Sequence, residues 1–126
     1  MYFHVMVGAN DLEASKTFYD ATFAALGVAS KGKFRDDPTA YMYGEAETGL
    51  FFVTKTMDGN AATCANGGTI MFKAPSKAAL DAWYSAGIAN GGADFNGTPA
   101  PGGVPDTTMG YLRDPTGNKI AAVAFG

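Results

Sequence analysis

Apolar positions that alternate in some segments and recur at helical spacing in others divide the chain into strands and helices. Residues 2–7 are aromatic and β-branched and predict a first strand. Asn10 and Glu13 have the spacing of a capping box, which predicts that a helix begins at Asn10. One face of this helix is apolar and consists of Leu12, Tyr19, Phe23 and Leu26. The helix is expected to end at Gly27.

The rest of the chain predicts more strands, a second helix and two long connections. Ser76 is the predicted N-cap of the second helix. The last two strands are joined by Asp114-Pro115-Thr116-Gly117-Asn118, whose Pro and Gly favour a hairpin turn. In order, the segments are strands around 41–43 and 50–54, a connection over 57–68, a strand over 69–72, a helix over 77–90, a loop over 91–106, and strands over 109–113 and 119–125.

The opening pattern recurs 65 residues further along the chain, which indicates two similar units. The matched positions combine a strand residue, a helix cap, an aromatic pair and a terminal glycine. They pair His4 with Thr69, Asp11 with Ser76, Phe18 with Trp83, Tyr19 with Tyr84, and Gly27 with Gly92. Each half is therefore expected to form a strand, a helix and about three further strands.

Composition and charge narrow the class of protein. Hydrophobic residues make up 47% of the chain and charged residues 17%, which is typical of a globular fold. The net charge of -3 argues against a nucleic-acid partner, and no apolar run has the length of a membrane span. The N-terminus has no pattern of a signal peptide, and the single cysteine, Cys64, fits a reduced, cytoplasmic setting.

Two segments, VMVGANDLEASKTFYDATFAALG at 5–27 and YLRDPTGNKI at 111–120, resemble the vicinal oxygen chelate superfamily. This superfamily contains glyoxalase I, bleomycin- and fosfomycin-resistance proteins and extradiol dioxygenases. The resemblance implies an α+β fold in which paired βαβββ modules form curled mixed sheets around a cup, with helices on the outer face. It implies one domain over 1–126, with modules at about 1–57 and 67–126, and a homodimer.

The alternation of strand side chains predicts which residues face the cup. In the first strand the bulky apolar set, Phe3, Val5 and Val7, is expected to meet the helix. In the later strands Ile70, Phe72, Ile120, Ala122 and Ala124 are expected to do the same. The opposite faces then supply a ligand pocket made of His4, Met6, Phe52, Thr69, Met71, Tyr111 and Ala121.

Metal-dependent members of the superfamily hold a divalent ion in the cup, and the resemblance shows where its ligands would lie. His4 occupies the first such position, but Thr69 and Ala121 stand where His and Glu are expected. Phe52, near the remaining candidate position, cannot ligate either. Because a catalytic divalent site normally has about three protein ligands, we expect no metal and no cofactor.

Several residues have both a chemical and a structural interpretation. His4 and Tyr111 are candidates for a base and an acid, or simply line the pocket. Cys64 lies in a predicted loop and is interpreted as an inert thiol. Lys73, Arg113 and Lys119 either attract an anion to the cup mouth or are solvated strand ends.

Three functions remain open at this point, since a fold does not determine an activity. The first is a metal-free module that binds a small apolar or aromatic molecule in its cup. The second is a lyase, isomerase or dioxygenase of the glyoxalase type with a degraded or dimer-completed site. The third is an interaction protein whose cup is filled by its own side chains. The missing ligands favour the first and the third.

Overall fold

The computed structural model describes residues 1–126 as two successive units of strands and one helix. The first unit contains β1 (His4–Gly8), α1 (Leu12–Ala25), β2 (Ser30–Asp36), β3 (Thr39–Glu45) and β4 (Gly49–Thr54). The second contains β5 (Ile70–Lys73), α2 (Lys77–Ala89), β6 (Ala93–Asp94), β7 (Ala100–Pro101), β8 (Thr107–Arg113) and β9 (Lys119–Phe125). The predicted strands and helices are present, and the predicted 91–106 loop also carries the two short strands β6 and β7.

Each unit folds into its own mixed sheet, and neither sheet is closed. Sheet 1 has the strand order β1-β4-β3-β2, and sheet 2 has the order β5-β9-β8-β6 with β7 also paired to β8. The first strand of each unit is parallel to its last strand, whereas the other pairs are antiparallel. This shared topology confirms the α+β fold with two paired modules. The first is βαβββ, and in the second two short strands, β6 and β7, both pair with β8 where the first module has one strand. It leaves β1 and β5 as edge strands.

Helix α1 begins one residue later than the capping-box pattern predicts. Asp11 is the N-cap, and its carboxylate accepts a hydrogen bond from the backbone N–H of Ala14 at 3.0 Å. The Asn10 side chain is used elsewhere, since its amide exchanges two hydrogen bonds with the backbone of Ala62 in the connection between the modules. Gly27 follows the helix with φ of 74°, as its predicted role at the C-terminus requires.

Helix α2 repeats this construction with one difference at its end. Ser76 is the N-cap and accepts from the backbone N–H of Ala79 at 3.1 Å, as predicted. The residue with positive φ after the helix is Gly91, at 94°, rather than Gly92, the match to Gly27 in the repeat. Gly92 is instead confined by Phe18 and by the backbone of Gly87, which leave no room for a Cβ atom.

One hydrophobic core joins the two modules. The helices pack against each other, and α2 also packs on β8 and β9. Both helices and the helix-facing sides of both sheets contribute to this core, which includes Phe18, Tyr43, Phe51, Trp83 and Leu112. The sheet faces opposite the helices therefore point away from the shared core, and these are the faces on which the sequence placed the cup.

The alternation of β1 holds for two of its three predicted core residues. Val7 is buried and Val5 packs against the core, but the side chain of Phe3 is 63% exposed. Phe3 precedes the first residue of β1, so no neighbouring strand or helix covers it. The helix-facing sets of β5 and β9 are confirmed. Ile70 and Phe72 contact the core, and three residues of β9 are buried within it: Ile120, Ala122 and Ala124.

Candidate functional site

The face of sheet 1 opposite the helices carries a cluster of rings. His4 in β1 lies edge-on to Phe52 in β4, with 5.2 Å between ring centroids. Phe34 in β2 also lies edge-on to Phe52, with 4.7 Å between ring centroids. Met6 is the register partner of Phe52 across the parallel pair. Phe52 is buried by these neighbours, while Phe34 and Met6 are 51% and 38% exposed and form an apolar surface.

The corresponding face of sheet 2 brings together three of the other predicted pocket residues. Ala121 in β9 is the register partner of Met71 in β5 and of Tyr111 in β8. Phe95, just after β6, lies 6.1 Å from the Tyr111 ring. Thr69 precedes β5 and is exposed. Ala121 is fully buried, so its methyl group forms the floor of this face and the larger side chains form the walls.

A groove at the seam between β1 and β5 is the place where predicted residues of both sheets meet. Its volume is about 750 Å³, and His4 and Met71 both line it. The other lining residues are mostly apolar and include Phe3, Phe23 and Phe72. The structure thus groups His4, Met6 and Phe52 on one sheet face and Met71, Tyr111 and Ala121 on the other, and only His4 and Met71 of these residues line the groove between them.

The donor set on these faces does not fit the divalent ion that the superfamily resemblance implies. His4 has two aromatic neighbours, Phe3 and Phe52, which offer no lone pairs to a metal. Nowhere in the chain do three His, Cys, Asp or Glu side chains lie close enough together to hold a metal ion.

The buried carboxylate of Asp114 has a second role besides closing the turn between β8 and β9. Its Oδ1 atom accepts from the backbone N–H groups of Thr116, Gly117 and Asn118 at 2.9–3.0 Å, which closes the turn between β8 and β9. Its Oδ2 atom accepts from the Asn118 side chain at 2.9 Å and from the hydroxyl of Tyr19 at 2.6 Å. Tyr19 belongs to α1, so this carboxylate links the two modules through their core.

Two tyrosines of the shared core are held in their neutral form. Burial raises the pKa of Tyr19 well above its usual value, and the nearby Asp114 carboxylate raises it further. Burial, together with a hydrogen bond to Asp20, likewise raises the pKa of Tyr43. Both hydroxyls are therefore hydrogen-bond donors at neutral pH, and their roles are structural rather than catalytic.

A second recess lies at the turn end of the sheet 2 face, where β8 ends and β9 begins. We call it the basic recess, and it is formed by Cys64, Phe95, Arg113, Lys119 and residues 65–68. Its volume is about 410 Å³. The sequence placed Arg113 and Lys119 at strand ends but had no signal for Phe95 or for the approach of Cys64, because both come from loops.

Comparison with known proteins identifies similar sequences and folds. The family model described as "Glyoxalase/Bleomycin resistance protein/Dioxygenase superfamily" matches residues 2–122. A glyoxalase/bleomycin resistance protein from Albidiferax ferrireducens T118 is 44% identical, with a TM-score of 0.87, over 100% of this chain and 99% of that one. None of the functionally curated proteins matches the chain.

More distant solved structures share the fold alone. A glyoxalase-related enzyme from Fulvimarina pelagi is 20% identical, with a TM-score of 0.73, over 98% of this chain and 87% of that one. A lactoylglutathione lyase from Agrobacterium tumefaciens is also 20% identical, with a TM-score of 0.63, over 98% and 92% of the two chains.

Neither helix of the present fold is long and apolar enough to cross a bilayer.

Proposed function

Because this chain belongs to the glyoxalase/bleomycin resistance protein/dioxygenase superfamily, we propose that it binds a small apolar or aromatic molecule in its cup without a metal ion. The observation that carries this proposal is the ring cluster of His4, Phe34 and Phe52 on an exposed sheet face. Ligand pockets are mostly apolar, with a few polar groups that orient the ligand. The imidazole of His4 and the hydroxyl of Tyr111 are the orienting groups in this proposal.

The cup is proposed to form between two copies of the chain. The two cup faces point away from one shared core, so each copy presents two separate half-cups. Edge strands β1 and β5 also carry exposed apolar side chains, of which Met6 and Met71 are each 38% exposed. A homodimer that places sheet 1 of one copy against sheet 2 of the other would cover both edges and complete each cup.

The alternative function is a metal-dependent lyase, isomerase or dioxygenase reaction. Elemental analysis separates it from metal-free binding. Thr69 and Ala121 offer no imidazole or carboxylate at the positions where the family resemblance calls for them. Elemental analysis of protein purified without chelators is expected to find far less than one ion per chain. Stoichiometric Zn, Ni, Mn or Fe would overturn the metal-free proposal.

Ligand binding is tested by titrating the protein with indole, a neutral aromatic probe, and following backbone amide NMR signals. The expected result is saturable shifts at His4, Phe52 and Tyr111. Phe34→Ala is expected to weaken binding about fivefold, because an aromatic contact contributes about 0.5–1.5 kcal/mol. Ile88→Ala is the control, since Ile88 is an exposed apolar residue of α2. Equal weakening by both variants, or no shifts on the cup faces, would contradict the proposal.

The dimer has its own test. Light scattering after size exclusion is expected to give twice the chain mass of 13.0 kDa. Met71→Lys is expected to shift the protein towards the monomer, because it places a charge on the proposed interface, whereas Ile88→Lys is expected to leave the mass unchanged. A monomeric wild-type protein at high concentration would exclude the shared cup. We further propose a cytoplasmic protein without a nucleic-acid partner, which the lone cysteine and the acidic net charge support.

A further inference from the structure

The basic recess contains two cations that no acidic side chain neutralises. The ion pairs of the chain, which join Lys16, Lys31, Lys33 and Lys77 to nearby carboxylates, all lie elsewhere. Arg113 uses one guanidinium nitrogen, Nη1, to donate to the carbonyl oxygen of Gly117 at 3.0 Å. Its other nitrogens, and the ammonium of Lys119, have no hydrogen-bond acceptor in the protein.

Both cations are held beside one aromatic ring. Arg113 Cζ lies 5.0 Å from the centroid of the Phe95 ring, and Lys119 Nζ lies 4.4 Å from it. Lys119 Nζ is also 5.4 Å from the centroid of Tyr111. Cation–π contacts at these distances restrain the two side chains in place. The two positive charges are thus held together, although like charges repel, which is the arrangement expected where an anion binds.

The carboxylates that adjoin Arg113 and Phe95 in the sequence, Asp114 and Asp94, are engaged on other groups. Asp114 follows Arg113 directly, but it is buried and accepts from three backbone N–H groups, the Asn118 amide and the Tyr19 hydroxyl. Asp94 accepts from the Tyr84 hydroxyl at 2.6 Å and from the backbone N–H of Gly97. Neither residue forms an ion pair with Arg113 or Lys119, so the positive potential of the recess stays available to a ligand.

We propose that the basic recess binds the oxyanion group, a carboxylate or a phosphate, of the organic molecule whose apolar body lies along the sheet 2 face. Phe95 and Tyr111 connect the recess to that face, because their rings are neighbours at 6.1 Å. The recess volume of about 410 Å³ accommodates such a head group together with part of its body. The proposal rests on the proposed cup and narrows its ligand to an aromatic or apolar anion.

The first test compares isosteric probes that differ in charge. Benzoate and phenyl phosphate are expected to bind more tightly than neutral benzamide, and inorganic phosphate reports the contribution of the head group alone. Arg113→Met and Lys119→Met are each expected to weaken benzoate binding about tenfold and to leave benzamide binding unchanged. Lys55→Met is the matched control, because it removes one charge at an exposed residue outside the recess.

The second test uses Cys64, the only cysteine, as a reporter inside the recess. Its thiolate displaces iodide from iodoacetate, an anion, or from iodoacetamide, which is neutral. The rate with iodoacetate divided by the rate with iodoacetamide is expected to be several-fold higher for Cys64 than for free N-acetylcysteine at low salt. This ratio is expected to fall as salt is added. Lys119→Met is expected to lower the ratio, Lys55→Met to preserve it, and benzoate to slow both reactions.

The outcomes separate this proposal from the proposed function. If benzamide and benzoate bind equally and the alkylation ratio equals that of N-acetylcysteine, the anion proposal is wrong and the apolar cup remains. If anions bind through Arg113 and Lys119 while Phe34→Ala has no effect on any probe, the recess is confirmed as an anion site. The proposed apolar cup that includes Phe34 is then wrong. Carboxylate and phosphate probes that differ greatly in affinity identify which head group the recess prefers.

Discussion

The hydrogen bond between Tyr19 and Asp114 gives the sharpest test of how the two modules are joined. Tyr19→Phe removes only the hydroxyl that donates to Asp114 Oδ2 at 2.6 Å, and it retains the ring that packs in the core. Both residues are almost completely buried, so water cannot replace the lost donor. The substitution therefore isolates one charged hydrogen bond between α1 and the turn that follows β8.

The size of the effect follows from the remaining partners of the carboxylate. A hydrogen bond to a charged group contributes about 1.5–3 kcal/mol. Asp114 retains four other donors, so it is not left unpaired, and we expect a loss of about 2 kcal/mol in the free energy of unfolding. For a domain of this length that corresponds to a fall in Tm of about 8 °C.

Urea unfolding at pH 7, followed by circular dichroism, measures this loss directly. Tyr41→Phe is the matched control, because the Tyr41 hydroxyl donates to Glu13 at 3.1 Å on the exposed surface. We expect the control to change stability by less than about 0.5 kcal/mol. A Tyr19→Phe effect no larger than that of Tyr41→Phe would refute the argument. A double-mutant cycle with Asp114→Asn is expected to show strong coupling between the two sites.

Other predictions concern pH, packing and capping. Burial raises the folded-state pKa of Tyr19 and Tyr43, so the stability they contribute is complete below the unfolded value of about 10 and is lost as pH rises beyond it. Unfolding at pH 8 and pH 11 should show this loss, and Tyr19→Phe should lose less; an equal loss in both proteins contradicts the assignment. Gly87→Ala should destabilise the fold despite the higher helix propensity of Ala, because its Cβ would meet Leu112, and a higher Tm would disprove this. Ser76→Ala should cost about 1 kcal/mol through loss of the α2 N-cap, and unchanged urea unfolding would count against that role.

Local patterns predicted the elements of the fold because each pattern has a local cause. The apolar face of α1 is buried as expected, since helical spacing brings Leu12, Tyr19, Phe23 and Leu26 to one side. Ser76 caps α2 through a bond that spans three residues. The N-cap of α1 was placed one residue early because Asn10 and Asp11 are both good caps, and the choice depends on a distant partner, Ala62.

The candidate site was predictable only in part. Strand alternation predicted that His4, Phe52, Tyr111 and Ala121 face the cup, and in the structure His4 lies beside Phe52 and Tyr111 pairs with Ala121. Phe34 was missed because β2 is irregular: its register with β3 shifts between Ser30 and Gly32 and again between Lys33 and Arg35, where Phe34 lies. Phe95 was missed because it lies in a glycine- and proline-rich stretch with no periodicity.

The amino-acid sequence by itself determined the order of the main strands and helices and the two similar units. Each of these depends on residue type and short spacing, which the chain carries wherever it folds. Tertiary structure alone decided that the two helices share one core, that Tyr19 reaches Asp114 across the modules, and that Arg113 and Lys119 lie beside Phe95. These contacts join residues far apart in the chain or from different loops, and no local pattern specifies which of many such pairs will meet.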